Sequence, residues 1–206
     1  MLSGSDESAL TFAGATSMGD SATDRRYAVL DIGGGSTELA LGRRGIIEHR
    51  ASLDIGCVRM TEQHLHHDPP LPSECRSLHA ALADAVQTFP LFAADQVTFV
   101  AAAGTALSLA AIDRGSSAID DPALEGHRLS RTRIHALRGA LQSHTHATIV
   151  SEMHVDPGRA DILLAGVMIL EAVMDARGIV EVHVTGRGLR YGIALREIDH
   201  IPDMPR

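Results

Sequence analysis

Tyr-Ala-Val-Leu-Asp-Ile-Gly-Gly-Gly-Ser-Thr-Glu, residues 27–38, is the segment from which the rest of the chain can be understood. An apolar run, Tyr27 to Ile32, has the near-continuous hydrophobic character of a strand buried on both faces. It carries Asp31 near its end and gives way to Gly33, Gly34 and Gly35, then Ser36, Thr37 and Glu38. Glycines let backbone N–H groups converge on an anion with no side chain in the way. A carboxylate at the strand end can hold a divalent cation or orient a water beside that anion. The segment therefore predicts phosphoryl chemistry as well as a strand and a turn. The same three glycines would also serve a tight hairpin through positive φ angles.

Outward from this loop the chain alternates between strand and helix patterns. Leu10 to Gly14 reads as a short strand and Ser17 to Arg25 as a polar loop. Glu38 to Leu41 and Ile46 to Leu53 read as strands joined by a hairpin over Gly42 to Gly45. Cys57 to His64 and Pro72 to Thr88 have helical spacing. Val97 to Ala102 is a second buried strand, leading through Ala103-Gly104-Thr105 into a helix, Ala106 to Ile112. Arg131 to Ser143 is amphipathic. Asp156-Pro157 is a helix start, with Asp as cap and Pro in the first turn, and Gly178 is the matching stop. Glu181 to Val184 is a third buried strand, followed by a glycine turn and a last helix over about residues 188–198. The predicted class is α/β, with a mixed sheet in which a three-strand antiparallel meander adjoins parallel strands and helices flank both. This order resembles the ribonuclease-H-like domain of actin-like phosphotransferases.

Bulk composition narrows the function. The 206 residues are enough for a domain with a real core. Aromatics make up 3% and the formal net charge is −8, which disfavours base stacking and phosphate neutralisation and so argues against nucleic-acid binding. No apolar run approaches membrane-spanning length, and Met1 to Asp6 carries no signal-peptide pattern. Two distant cysteines, Cys57 and Cys75, suit a reducing cytoplasm better than a disulfide framework. The cluster His64, His66 and His67 lacks zinc-type spacing and reads as solvated.

Several ordered motifs resemble the Ppx/GppA family of exopolyphosphatases and guanosine pentaphosphate phosphohydrolases. Ser3-Gly4-Ser5-Asp6-Glu7 is similar to the family's acidic hinge element. Asp31 to Glu38 is identical to its glycine loop. Ser52 to Glu62, Ala103 to Ala106, Gly158 to Gly166 and Gly188 to Gly192 resemble later family segments. Departures are Asp6 and Ser8 at the hinge element and Ala103 in place of the first glycine of the second glycine turn. The family's first phosphate loop has no counterpart in the sequence, so the resemblance implies the second of two actin-like domains, spanning residues 1–206, without the first.

The resemblance implies site roles. Asp31 would bind magnesium or another hard divalent cation, Glu38 would be a second essential carboxylate, and Glu7 would be the general base. Gly33, Gly34, Gly35 and Ser36 would hold phosphate oxygens. Gly104 and Thr105 open a helix whose N-terminus suits a phosphate, although close strand-to-helix packing explains them equally well. Arg187 and Arg190 flank the last glycine turn and could both contact phosphates, although a structural ion pair suits Arg190 better. The implied reaction releases terminal phosphate from polyphosphate or guanosine pentaphosphate. Two rivals stand beside it: a non-catalytic phosphate- or nucleotide-binding module, and an actin-like kinase fragment. In the family the last helix packs on the first domain, so Leu189, Ile193 and Leu195 are expected to lie uncovered and to favour a homodimer.

Overall fold

The computed structural model describes residues 4–17, 25–43 and 46–199. Helix α1 (Gly4–Thr16) leads into strands β1 (Arg26–Ile32), β2 (Thr37–Arg43) and β3 (Ile46–Leu53). Helices α2 (Cys57–His64) and α3 (Pro72–Ala85) precede β4 (Thr98–Ala102) and α4 (Ala103–Arg114). Then come β5 (Arg128–Ser130), α5 (Arg131–Ser143), α6 (His146–Glu152), α7 (Pro157–Arg177), β6 (Glu181–Thr185) and α8 (Leu189–Asp199). Among the described residues the strands form one six-stranded sheet in the order β3-β2-β1-β4-β6-β5. β1, β2 and β3 pair antiparallel, β4 is parallel to both β1 and β6, and β5 closes the edge antiparallel to β6.

The mixed sheet predicted from sequence is present, with one strand, β5, gained and one lost. β5 is only three residues long, too short for a period to show. The expected strand Leu10 to Gly14 is instead the middle of α1. A short apolar run does not distinguish strand from helix. Here Ala9, Leu10 and Ala13 favour the helix, and Asp6 and Glu7 in its first turn complement the helix dipole. The helix α6 was also unread, and α4 begins at Ala103, so Ala103-Gly104-Thr105 lies in its first turn. The hairpin predicted over Gly42 to Gly45 begins inside β2, and its last two residues lie outside the described set, as does most of the loop predicted over Ser17 to Arg25. For α7 the prediction stands: the Asp156 side chain accepts the Gly158 N–H at 2.9 Å, Pro157 follows, and Gly178 ends the helix at φ +66°.

Both faces of β1 are covered, which explains its unbroken apolar run. Leu30 points into a large core with Leu39, Leu41 and Phe99 under helices α3, α4 and α7. Val29 points the other way, into a smaller cluster with Phe12, Tyr27, Ala40 and Val100 beneath α1. On that second face α1 and α8 pack together through glycines. A Cβ at Gly192 would come within 1.9 Å of the Leu10 carbonyl oxygen, and one at Gly14 within 2.5 Å of the Gly188 carbonyl oxygen. The last helix is therefore covered in part by the first, and Leu189, Ile193 and Leu195 are half-buried.

The β1–β2 register sets like charges opposite each other at both ends of the pair. Arg26 faces Arg43 at one end and Asp31 faces Glu38 at the other, with apolar or small residues between. Like charges directly opposed on a ladder are destabilising.

Candidate active site

The C-terminal end of β1 gathers the predicted residues. Asp31 is half-buried there, and Glu38 stands opposite it on β2. Ser52, opposite Glu38 on β3, donates its hydroxyl to Glu38 Oε1 at 2.7 Å and fixes that carboxylate. Burial, and then the neighbouring charge of Glu38, push the Asp31 carboxyl up to about 6. Helix α1 crosses this end of the sheet, so Glu7 joins Asp31, Ser36 and Glu38 in lining one cavity of about 440 Å³. Leu189 from α8, together with Arg50 and Ser52 from β3, completes that wall.

The glycine loop departs from expectation in one atom. The Gly33 N–H donates to the Ser36 carbonyl at 2.9 Å and closes the turn, so it is not presented outward. Among the described residues, no hydrogen bond uses the N–H groups of Gly34, Gly35 and Ser36. The loop carbonyls are held from behind by the start of α2. Cys57 N–H donates to Gly33, Val58 and Arg59 N–H donate to Gly34, and the Arg59 guanidinium donates to Gly35 at 2.9 Å. None of the three glycines has positive φ, and a Cβ at Gly35 would meet nothing nearer than 3.8 Å. The fold itself does not demand glycine at that position. Close approach of a ligand to bare backbone is the reason that remains.

Asp31 also borders a second cavity of about 260 Å³, between the glycine loop and the start of α4. Gly104 and Thr105 line it. Thr105 is buried and also packs on α7, where a Cβ at Gly166 would come within 2.8 Å of its hydroxyl. Arg159 enters the same cavity from the first turn of α7 and lies flat on Gly104, where a Cβ would meet its Nη1 at 1.8 Å. Among the described residues no carboxylate pairs with Arg159. Sequence reading gave this residue no role. Its signal was its placement, since a cation in the first turn of a helix opposes the dipole and needs another reason to be there.

Ala103, where the resembled family has glycine, adopts φ +69°. A non-glycine residue in the left-handed region is strained, and this one sits beside the site. Arg187, not Arg190, makes the ionic contacts at the last glycine turn. It stacks on the Tyr191 ring at 4.7 Å and approaches Glu125 at 3.9 Å. Glu125 in turn holds the turn itself, accepting from the Thr185 hydroxyl at 2.6 Å and from Gly186 N–H at 3.0 Å.

For a cation, Asp31 and Glu38 offer hard oxygen donors, and their mutual repulsion is what a bound divalent ion would relieve. Among the described residues no group of three or more His, Cys, Asp or Glu side chains is placed to hold a metal. Two carboxylates suit magnesium, which keeps several waters and takes its remaining ligands from substrate phosphates. The histidines are elsewhere: His66, His67, His144 and His146 line a separate 300 Å³ cavity with Asp68 and Asp161. Cys57 and Cys75 are free and buried, and no described helix is long and apolar enough to cross a membrane.

Comparison with known proteins adds the following. The model of the Ppx/GppA phosphatase family matches residues 1–201. The chain is 33% identical to exopolyphosphatase 2 of Mycobacterium tuberculosis over 95% of its own length and 62% of that protein's. It is 34% identical to exopolyphosphatase 1 of Mycobacterium bovis, covering 98% of the chain and 59% of that protein. A solved Ppx/GppA phosphatase of Aquifex aeolicus superposes with a TM-score of 0.84 at 25% identity, covering 93% of the chain and 63% of that structure. The chain thus spans about six-tenths of the length of the relatives it matches.

Proposed function

Because the chain belongs to the Ppx/GppA phosphatase family, we propose that it carries the catalytic carboxylates of a phosphoanhydride hydrolase that removes terminal phosphate from inorganic polyphosphate. The observation that supports this most is the convergence of Glu7, from α1, with Asp31, Ser36 and Glu38, from the β1–β2 hairpin, on one cavity beside the glycine loop. Gly34, Gly35 and Ser36 would direct their N–H groups at phosphate oxygens, and Arg159 would add a guanidinium on the far side. Glu7 would accept a proton from the attacking water as its oxygen bonds to the terminal phosphorus and the bridging oxygen leaves. Asp31 and Glu38 would hold magnesium, which when bound neutralises charge on the phosphate oxygens. Ser52 would keep Glu38 facing that cation.

Polyphosphate is preferred as substrate because the matched relatives are named exopolyphosphatases. Guanosine pentaphosphate offers the same terminal phosphoanhydride and remains the alternative. The free thiols suit a cytoplasmic protein. A homodimer through the α8 face is part of the same reading.

The test is phosphate release from polyphosphate, and separately from guanosine pentaphosphate, with magnesium, beside an Asp31→Ala control. Release that disappears with the substitution supports the hydrolase. A second reading, a phosphate-binding module without turnover, follows from the chain spanning 62% of a relative's length. Binding without release would establish that reading instead.

A further inference from the structure

The opposite end of the β1–β2 pair borders a larger cavity, of about 590 Å³. Five residue steps of β1 separate its Arg26 from Asp31, or about 16 Å at a strand rise of about 3.3 Å. Four arginines line it: Arg25 and Arg26 at the start of β1, Arg43 at the end of β2, and Arg128 on β5. Gln96, Thr98 and His183 add polar groups, and Asp95 is the one carboxylate in the lining. This concentration arises in a chain of net charge −8.

Two features leave positive charge on this cavity beyond what its acids offset. The first is the register. Arg26 lies directly opposite Arg43, and Arg128 directly opposite the basic residue His183, so the ladder sets no acid against any of these arginines. Burial, with Arg128 adding to it, holds His183 below the usual histidine range. The second is the thin pairing of Arg25 and Arg128, in contrast with Arg26 and Arg43, which Glu48 bridges at 2.7 Å and 2.9 Å. Arg128 has only a 3.5 Å contact with Glu181, and no described carboxylate pairs with Arg25. The Arg26 Nε is buried and donates to nothing. The sequence moreover contains no lysine, so every permanently charged basic side chain is an arginine, with the planar fork that grips phosphate in pairs of hydrogen bonds.

We propose that this cavity binds a short chain of linked phosphates, at a site separate from the Asp31 cleft. Several arginines converging on one concavity match a multiply charged linear anion better than a single phosphate. The volume also falls within the range of ligand sites. The site stands independently of the hydrolase reading, because it shares no residue with the cleft.

The experiment is calorimetric titration of the chain with inorganic tripolyphosphate, without magnesium. It is run on the unmodified chain, an Arg25→Gln/Arg128→Gln double variant, an Asp95→Asn variant and an Arg159→Gln variant. Arg25 and Arg128 are exposed, so the double variant leaves the core untouched. Its affinity at this site is expected to fall by at least about tenfold, the equivalent of one charged hydrogen bond. Asp95→Asn is expected to tighten binding by about threefold, because it removes the lining carboxylate. Arg159→Gln should leave this site unchanged. Binding that survives the double variant, or that only Arg159→Gln removes, overturns the proposal. A nucleoside triphosphate in place of tripolyphosphate separates the sources: equal affinity assigns the site to phosphates alone, and tenfold tighter binding assigns it to a nucleotide.

Discussion

The two ends of the β1–β2 pair carry the same electrostatic fault with opposite sign. Arg26 opposes Arg43 at one end and Asp31 opposes Glu38 at the other. At the arginine end Glu48 sits between the two guanidiniums and removes much of the repulsion. At the acid end Arg50 of β3 shares the cavity wall with the two carboxylates. Glu38 accepts a serine hydroxyl, and the Asp31 proton is still held up to a pH of about 6. A carboxyl that keeps its proton so high, beside a cavity and an open backbone loop, marks a place that a cation from solution would favour. Glu48 bridges both arginines at the other end, so the acid end should respond more strongly to substitution.

The largest expected effect is on chemistry. Asp31→Ala should lower phosphate release by at least about a hundredfold, as loss of a central electrostatic group does elsewhere. The counterpart Arg43→Gln should leave release unchanged within about twofold, since it lies about 16 Å away. Equal losses from both would end the distinction between the two ends.

Next comes stability. The Asp31 carboxyl titrates near 6 in the folded chain against 3.8 when unperturbed, so the folded state holds its proton more tightly. Stability therefore falls as pH rises from about 4 through about 6, because the native state must give up a proton that the unfolded chain has already lost. Asp31→Asn cannot titrate. With a chelator present it should be the more stable protein above pH 7, by about 3 kcal/mol, with the difference vanishing below about pH 4. Urea midpoints across that range measure it. A difference independent of pH would mean that burial of Asp31 is not the cause.

A smaller gain should come from Ala103→Gly. Relieving φ +69° at the mouth of the 260 Å³ cavity should stabilise the chain by about 1 kcal/mol in thermal unfolding. A loss instead would mean that the alanine methyl packs well enough to outweigh the strain. The smallest effect should be Glu48→Gln. It leaves Arg26 and Arg43 opposed with a weaker bridge, so the urea midpoint should fall by less than Asp31→Asn raises it. A larger fall would show that the arginine end depends on its one acid more than the acid end depends on relief.

What sequence reading recovered and what it missed divide along the range of the interactions. The strand ending at Asp31, its glycine loop and the Asp156-Pro157 helix start are local patterns, and each is encoded within a few adjacent residues. The convergence of Glu7 on the same cavity came only by resemblance, since it depends on α1 crossing the sheet. The segment Leu10 to Gly14 was misread because five apolar and small residues carry no decisive period. Arg159 was invisible because its partner, Gly104, lies far away in the chain and meets it only through the packing of α7. The substitution at Ala103 was legible as a departure, but its cost required knowing the backbone angle. The arginine cavity was hidden by an overall negative charge, because a sum over the chain says nothing about where the positive charges gather.

The clasp between Gly14 and Gly192 has a mechanical consequence. It joins the first and last described helices backbone to backbone, so a displacement of one is passed to the other. Glu7 rides on one jaw of the clasp and Leu189 on the other, whereas Asp31 and Glu38 are anchored in the strands. A pull or twist delivered through either helix would therefore reposition the proposed base relative to two carboxylates that stay still. That makes the helix pair a lever on the cavity and the sheet its fixed anvil.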